Sequence, residues 1–449
     1  MNEEESKKLY EALLKNDTTY LTQMLKEGFD MSETVFDVPG GSDKSTSLEF
    51  AVRKNNVRLV QFLLEKCVNP NVGSVNGETP LIISIKAAFH QISEKLIVEG
   101  ANTCKPDTDG KTPLYWAVET KNKKIINLLL DHGAELTVHT ALLHAIDSDY
   151  LDIVKLLVER KAPINVVSPE TPLTTAIMRG HSDIAKFLIK SGADLNLVGE
   201  HGTPLNIAIV EKNWDIVKTI IKSGADVNLV SKNGTPLNMV IQEENLDIMK
   251  FLIESGADVN LNDGHGTPLN IAIQKEFWDI AKFLIESSAD VNLPDKTGNF
   301  PINVCMENLN FDILNRMIEK GLKVDQTLAN TLLVWSLELE KVNLVKYFIG
   351  QGADVNQKKE NDQTLLSIAL KNSDLRSFRL LIESGADPRL AEAEIKEKIA
   401  KDRDFAVYVK SPDVESKMKE LRIRENDSSD ASFLQGATGH EEASLGRQS

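Results

Sequence analysis

Along most of this chain the apolar residues come in two short bursts separated by a polar break, and the pair of bursts recurs about every 32 residues. Residues 203–234, TPLNIAIVEKNWDIVKTIIKSGADVNLVSKNG, show the pattern. Leu205, Ile207, Ala208 and Ile209 form the first burst. Ile216, Val217, Ile220 and Ile221 form the second, at the i, i+1, i+4, i+5 spacing of one apolar stripe on a helix. Polar signals bracket both. Thr203 offers a hydroxyl N-cap, and Pro204 stands at the first helical position, where its missing N–H costs nothing. Asn213 fits the turn that ends the first helix, and Asp215 favours the start of the second through the helix dipole. Gly224 falls where the residue after a helix turns left-handed. Asp226, Asn228 and Asn233-Gly234 mark a loop and tight turn before the next unit. The pattern predicts two short helices and a projecting turn per unit.

Two markers keep this period independently. Thr-Pro-Leu begins at Thr79, Thr112, Thr171, Thr203, Thr235 and Thr267, with degenerate copies at Thr46, Thr140, Phe300, Thr331 and Thr364. Gly-Ala-Asp, or a near variant, begins at Gly100, Gly133, Gly192, Gly224, Gly256, Gly352 and Gly385. Neither short helix can bury its apolar face alone, so neighbouring units must stack to share one core. The sixth residue of each unit lies between adjacent helices and should be small. It reads Ala51, Ser84, Ala117, Ala145, Ala176, Ala208, Val240, Ala272, Cys305, Ser336 and Ala369, and only Val240 strains the rule.

These markers resemble the ankyrin repeat, with its period near 33, its Thr-Pro-Leu at the first helix and its Gly-Ala-Asp-Val-Asn after the second, over roughly residues 7 to 388. The resemblance implies an all-α fold: an ankyrin-type helix-turn-helix solenoid with short β-hairpin fingers, binding through its concave face and finger tips. There are departures from the family pattern. Asn206, Asn238, Asn270 and Asn303 replace the usual His after Thr-Pro-Leu, and each can still make a polar link between repeats. Cys67, Lys161 and Ser288 replace the left-handed Gly, at a cost of ~1 kcal/mol each. Too few residues separate Gly133 from Thr140 for a full finger, and extra ones, including Pro39-Gly40-Gly41, separate Gly28 from Thr46.

This reading divides the chain into a degenerate capping repeat with an insertion over 1–45, about eleven repeats over 46–389, a helical cap over 390–422 and a disordered, Ser- and Gly-rich tail over 423–449. In the first segment Leu9, Leu13, Leu14, Leu21, Met24 and Leu25 form the apolar positions, and charged residues cover the rest. Ser411-Pro412-Asp413 reads as the start of a last short helix ending near Arg422.

Charge narrows the function classes. A net charge of −16 disfavours generic binding to nucleic acid or to anionic membrane surfaces. The start of the chain lacks the features of a signal peptide, and no apolar run is long enough for a transmembrane helix. Three cysteines, Cys67, Cys104 and Cys305, offer no disulfide framework, fit a reducing compartment, and read as small buried thiols. No phosphate loop, G-x-S-x-G, H-E-x-x-H or EF-hand pattern occurs, and the histidines are scattered, so no catalytic, cofactor or metal residues are assigned.

What remains is a recognition surface. In the geometry that the resemblance implies, the residues just after the small sixth position face the concave side. They are Arg53, Lys54, Lys86, Glu119, Asp147, Met178, Arg179, Glu211, Gln242, Glu243, Gln274, Lys275, Glu307 and Glu338, a row that begins basic and is mainly acidic from Glu119 onward. Finger tips add Glu200, His201, Lys232, Asn262, Asp263, Asp295 and Lys296, with His265 beside them. Trp214 and Trp278, 64 residues apart and each before Asp-Ile, are read either as packing between second helices or as exposed anchors for a partner. Residues 203–222 and 267–286 share Thr-Pro-Leu-Asn-Ile-Ala-Ile as well as the Trp-Asp-Ile triplet, which points to duplication of a two-unit block. The expectation is a cytoplasmic, monomeric protein-binding scaffold without cofactors, not an enzyme. A preference for Lys over Arg, with frequent Ile and Asn, is common in AT-rich genomes, including those of intracellular bacteria. It leaves open a host-directed effector, and a structural linker also stays open.

Overall fold

A computed structural model describes residues 3–38, 44–73, 77–308, 310–359, 362–402, 405–407 and 416. Paired helices recur with the expected period. Thr46, Thr79, Thr112, Thr171, Thr203, Thr235, Thr267 and Thr364 each hold extended backbone before a seven-residue helix, and each hydroxyl accepts the N–H three residues on. The second helices run nine residues, and six of them have a side-chain cap from Asn or Asp in the repeats. Asn56, Asn122, Asn213, Asn245, Asn310 and Asp374 accept from the N–H three residues on, so Asn213 caps the helix Trp214–Lys222. The left-handed turn between the two helices falls one residue earlier, at Asn55, Lys121, Lys212, Glu244 and their equivalents, and Gly takes that place at Gly180.

Stacking follows from the small sixth residue. All eleven of these positions, Val240 included, are at most 1% exposed, and within each compact part of the chain neighbouring first helices close against one another. Ile216, Val217 and Ile220 are fully buried beside them, each side chain contributing about 1.5–3 kcal/mol.

A polar ladder ties the turns together. Asn165, Asn196, Asn228 and Asn260 each accept, through Oδ1, the backbone N–H of Asp194, Asp226, Asp258 and Asp290 in the following unit, at 2.7–2.9 Å. Each of those aspartates caps its own turn by accepting the N–H of the residue two places on. The Gly-Ala-Asp-x-Asn marker is therefore one rung of this ladder: Asp holds its own unit and Asn holds the next. The Asn that replaces His also links units. Asn238 Nδ2 donates to Gly266 O at 3.2 Å, and Asn270 Nδ2 donates to Leu293 O at 3.1 Å. Asn206 Nδ2 lies 3.1 Å from Met239 Sδ.

The chain forms two compact units, Met1–Lys320 and Gly321–Ser449. In the first, the helices Glu3–Lys15 and Thr18–Lys26 bury Leu9, Leu13, Leu21 and Met24, whereas Leu14 is exposed. An antiparallel hairpin follows, with Val35 paired to Thr46, and puts Phe36 edge-on to Phe50 at 5.8 Å. Pro39-Gly40-Gly41 lie outside the described residues. The shortened connection after Gly133 is a 3-10 turn, Ala134–Thr137, leading straight into Val138–Asp147. Thr140 consequently lies inside that helix instead of capping it, and its hydroxyl donates to Thr137 O.

The second unit holds another departure from the period. The helix Gln326–Glu338 has 13 residues, and Asp325 caps it through Leu328 N. Thr331 is interior, five residues past the helix start. The helices Val342–Gly350, Leu365–Lys371, Leu375–Glu383 and Glu392–Lys401 complete this unit, with Phe405 packed edge-on to Phe378 at 5.3 Å. The short helix expected near Ser411–Arg422 and the tail over 423–449 lie outside the described residues, apart from Ser416.

The cysteines do not share one environment. Cys305 is buried and 3.8 Å from Met317 Sδ, and burial pushes its thiol up to about 12. Cys67 is exposed, since the left-handed turn at φ 59° ends its helix at the surface, and Cys104 is half-exposed.

Candidate functional site

The candidate row is built by helix ends. Glu119, Asp147, Glu307 and Glu338 are the last residues of first helices, whereas Arg179, Glu211, Glu243 and Lys275 are C-caps one residue later. Where it is described, a left-handed residue follows within two positions, which pushes the described side chains out of the core. All are exposed except Glu307, whose side chain lies outside the described residues.

The row is less bare than its sequence suggests. Glu119 Oε2 meets His144 Nε2 at 2.8 Å, and Asp147 binds Arg179 at 2.8 Å. Glu243 pairs with Lys212, and Glu338 pairs with Lys359. Glu211 has no ion-pair partner among the described residues. In the basic first part, Arg53 and Lys86 share Glu78, at 3.6 and 2.5 Å. The ammonium groups of Lys86 and Lys111 stand 4.3 and 5.1 Å from the Trp116 ring, whose Nε1 donates to Asp107 at 2.9 Å. Sequence reading passed over Tyr115 and Trp116. The available signal was two adjacent aromatic residues in the first helix, where other units carry Asn-Ile or Ile-Ile.

Three finger carboxylates, Glu170, Asp263 and Asp295, are held by donors of the chain itself. Glu170 is buried and accepts from the backbone N–H of His201 at 2.9 Å and from the Thr174 hydroxyl at 3.0 Å, while His201 Nδ1 sits 2.6 Å away. Asp263 accepts Thr235 N–H and Asn238 Nδ2, each at 2.7 Å, which fastens one finger to the preceding helix start. Asp295 is likewise buried. The Thr297 hydroxyl foremost, then the N–H groups of Asn299 and Thr297 and the Gln274 amide, hold its carboxyl below the usual range against the opposing effect of burial. Asp263 and Asp295 are therefore structural latches rather than exposed recognition groups. Lys232 reaches back to Glu200 O at 3.1 Å, and His265 stays exposed, its N–H donated to Asp263.

Trp214 and Trp278 begin second helices, three residues after the C-caps Glu211 and Lys275, and are half-buried.

Two cavities lie along the row. One, of about 400 Å³, brings Lys232, Glu243 and His265 together around Ile209, Val210 and Met239. The other, of about 320 Å³, is lined by Leu143, Pro169 and Met178, with Asp147 and Arg179 beside them. Among the described residues no cluster of His, Cys, Asp and Glu could hold a metal, and no helix is long and apolar enough to cross a membrane.

Comparison with known proteins agrees with the architecture. The family model of ankyrin repeats (three copies) matches residues 48–140, 86–168, 142–231, 205–295 and 296–392. An ankyrin repeat protein of fowlpox virus (strain NVSL) is 30% identical over 165 residues, covering 33% of this chain and 48% of its own. The phosphocholine transferase AnkX of Legionella pneumophila is 27% identical over 210 residues, covering 41% of this chain and 22% of that protein. The chain thus spans about half or less of these relatives. A solved ankyrin repeat domain from Acinetobacter baumannii AYE is 26% identical, covers 40% of this chain and 98% of its own, and has a TM-score of 0.38.

Proposed function

We propose that this chain, which belongs to the ankyrin repeat family, is a protein-binding scaffold that holds its partner along the ends of the first helices and the neighbouring finger tips. Ankyrin repeats generally mediate protein–protein interaction and typically carry no catalysis; our reading gives this chain no chemistry of its own. The observation that carries it is the cavity of about 400 Å³ in which three candidate residues from three separate segments, Lys232, Glu243 and His265, surround an apolar floor. Val210 at its edge is 52% exposed. An apolar floor with a few polar groups around it is the usual make-up of a binding site. Ion pairing along the row lowers its net negative field, so shape and apolar contact contribute more to affinity, and charge mainly to the association rate.

The test is an affinity pull-down with mass spectrometry from the source cell, comparing wild type with Val210→Glu and with Glu211→Lys/Glu243→Lys. The partner should be recovered by wild type and lost or much reduced with Val210→Glu, while circular dichroism of both variants stays wild-type. A partner retained by both folded variants sinks the reading. The effector and linker alternatives concern where such a scaffold works and are separated by locating the protein in cells.

A further inference from the structure

We propose that the repeats beginning at Thr46, Thr79 and Thr112 receive an acidic segment of the protein partner, whose carboxylates settle on Lys54 and Lys111; the inference rests on the protein-binding reading above and names the partner's chemistry at one end of the candidate surface. The helices Ser47–Arg53, Pro80–Lys86 and Pro113–Glu119 pack in succession, and side chains join their ends. Arg53 and Lys86 both reach Glu78, and the ammonium groups of Lys86 and Lys111 both stand over the Trp116 ring. The surface is therefore continuous from Arg53 to Lys111.

The carboxylates along it are already engaged by the chain. Glu49 meets Arg53 at 2.9 Å, and Glu78 meets Lys86 at 2.5 Å. In each pair the cation is the outer member. The side chains of Arg53 and Lys86 are 46% and 36% exposed, those of Glu49 and Glu78 3% and 21%. Asp107 accepts the N–H groups of Asp109 and Lys111 through one oxygen and the Trp116 Nε1–H through the other. Two cations are left over. Lys54 and Lys111 have no carboxylate partner among the described residues, and their ammonium groups lie 5.7 Å from the Phe50 ring and 5.3 Å from the Tyr115 ring. Against them stands one exposed carboxylate, Asp109, in the turn after Asp107. Ammonium groups held over rings are partly ordered before a partner arrives, which lowers the entropy cost of meeting a carboxylate. Lys54 and Lys111 belong to repeats two layers apart, ~20 Å at a helix spacing of ~10 Å, and about six extended residues cover that span. Two free cations suit a short acidic peptide. Nucleic acid binding rests on many phosphate contacts and is opposed by the net charge of −16.

The test selects phage-displayed random dodecapeptides on the full chain. Enriched peptides should carry Asp or Glu at several positions. As synthetic peptides they should bind Lys54→Glu/Lys111→Glu about tenfold or more weakly than wild type, and Lys54→Gln/Lys111→Gln by an intermediate amount, with affinity falling as salt is raised. They should bind Val210→Glu as well as wild type. All variants are checked for wild-type circular dichroism, and the glutamine pair decides the matter if the glutamate pair fails to fold. No enrichment, enriched peptides that are basic or uncharged, or peptides that bind the folded lysine variants undiminished overturn the proposal. So does a single-stranded oligonucleotide that binds wild type more tightly than the peptides do. Peptides lost only with Val210→Glu overturn it while sparing the scaffold reading.

Discussion

Gly224 is a place to measure the energy of the left-handed turn that closes each second helix. The glycines at this position hold φ between 85° and 97°. Where the chain carries Cys67, Lys161 or Ser288 instead, φ is 59°, 64° and 70°, so the backbone retreats toward the part of the left-handed region that a Cβ tolerates. A Cβ built on Gly224 meets no atom within 4 Å. Gly224→Ala therefore adds no clash, and its effect is purely conformational. Left-handed backbone costs an L-residue about 1–2 kcal/mol. Against this, alanine restricts the unfolded chain and returns about 0.4–1 kcal/mol. The expected net loss is about 1 kcal/mol, and Ser288→Gly and Lys161→Gly should each gain slightly less, since their backbones have already relaxed. Urea unfolding followed by far-ultraviolet circular dichroism gives the global value. Native-state hydrogen exchange of the amides of Gly224 and Ala225, which bond to Ile221 O and Ile220 O, gives the local one. A loss of 3 kcal/mol or more would mean that the site is sterically closed. A loss of stability in Ser288→Gly would mean that the serine holds the turn by something other than its backbone.

Gly234→Ala should cost clearly more than Gly224→Ala, because its Cβ would clash with the latched Asp263 carboxylate; equal losses in urea would show that the latch yields freely. Asn228→Ala removes the acceptor of Asp258 N–H and the donor to Gly256 O, and should cost about 1–3 kcal/mol, with faster exchange at the Asp258 amide as its local sign. Cys305 keeps its proton in the fold while the unfolded thiol loses its own above its ordinary 9.0. The unfolded state then binds fewer protons, so stability falls as pH rises between about 9 and 12. Relative to Cys305→Ala, wild type should lose about 1.4 kcal/mol between pH 8 and pH 10 in paired urea titrations; parallel curves would place the thiol in contact with solvent.

Elements whose identity depends on local chemistry were legible in the sequence. Thr-Pro-Leu fixes a helix start by a hydroxyl and a locked φ, and the small sixth residue fixes helix-to-helix distance, so both could be placed from residue type and period alone. The left-handed turns at Cys67, Lys161 and Ser288 could be placed too, because the second marker counts them off. Side-chain partners a full unit away could not. Asp263 and Asp295 look like solvent-facing turn residues until the preceding first helix supplies Thr235 N–H at its start or the Gln274 amide at its end. Glu119, Asp147 and Glu243 read as free carboxylates because the partners His144, Arg179 and Lys212 are 25 to 32 residues distant or on the far side of a turn. Thr331 misled for a different reason. The spacing of markers stays near 31 there although the finger is gone, since a helix begun early at Asp325 takes up the same number of residues.

The asparagine ladder has a consequence for how such a chain can change length. The four rungs from Asn165 to Asp290 have the same donor and the same acceptor, so the ladder itself does not distinguish one of these units from the next. Excision of residues 226–257 would bring Asp258 N–H to Asn196 Oδ1, the place Asp226 now fills, and the cut would leave no mismatched end. Insertion of a whole unit is equally seamless. The reach of the binding surface is thus a variable that recombination can lengthen or shorten in steps of one unit, with no second mutation needed to repair the join. The shared residues of 203–222 and 267–286 are what one such step, two units long, would leave behind.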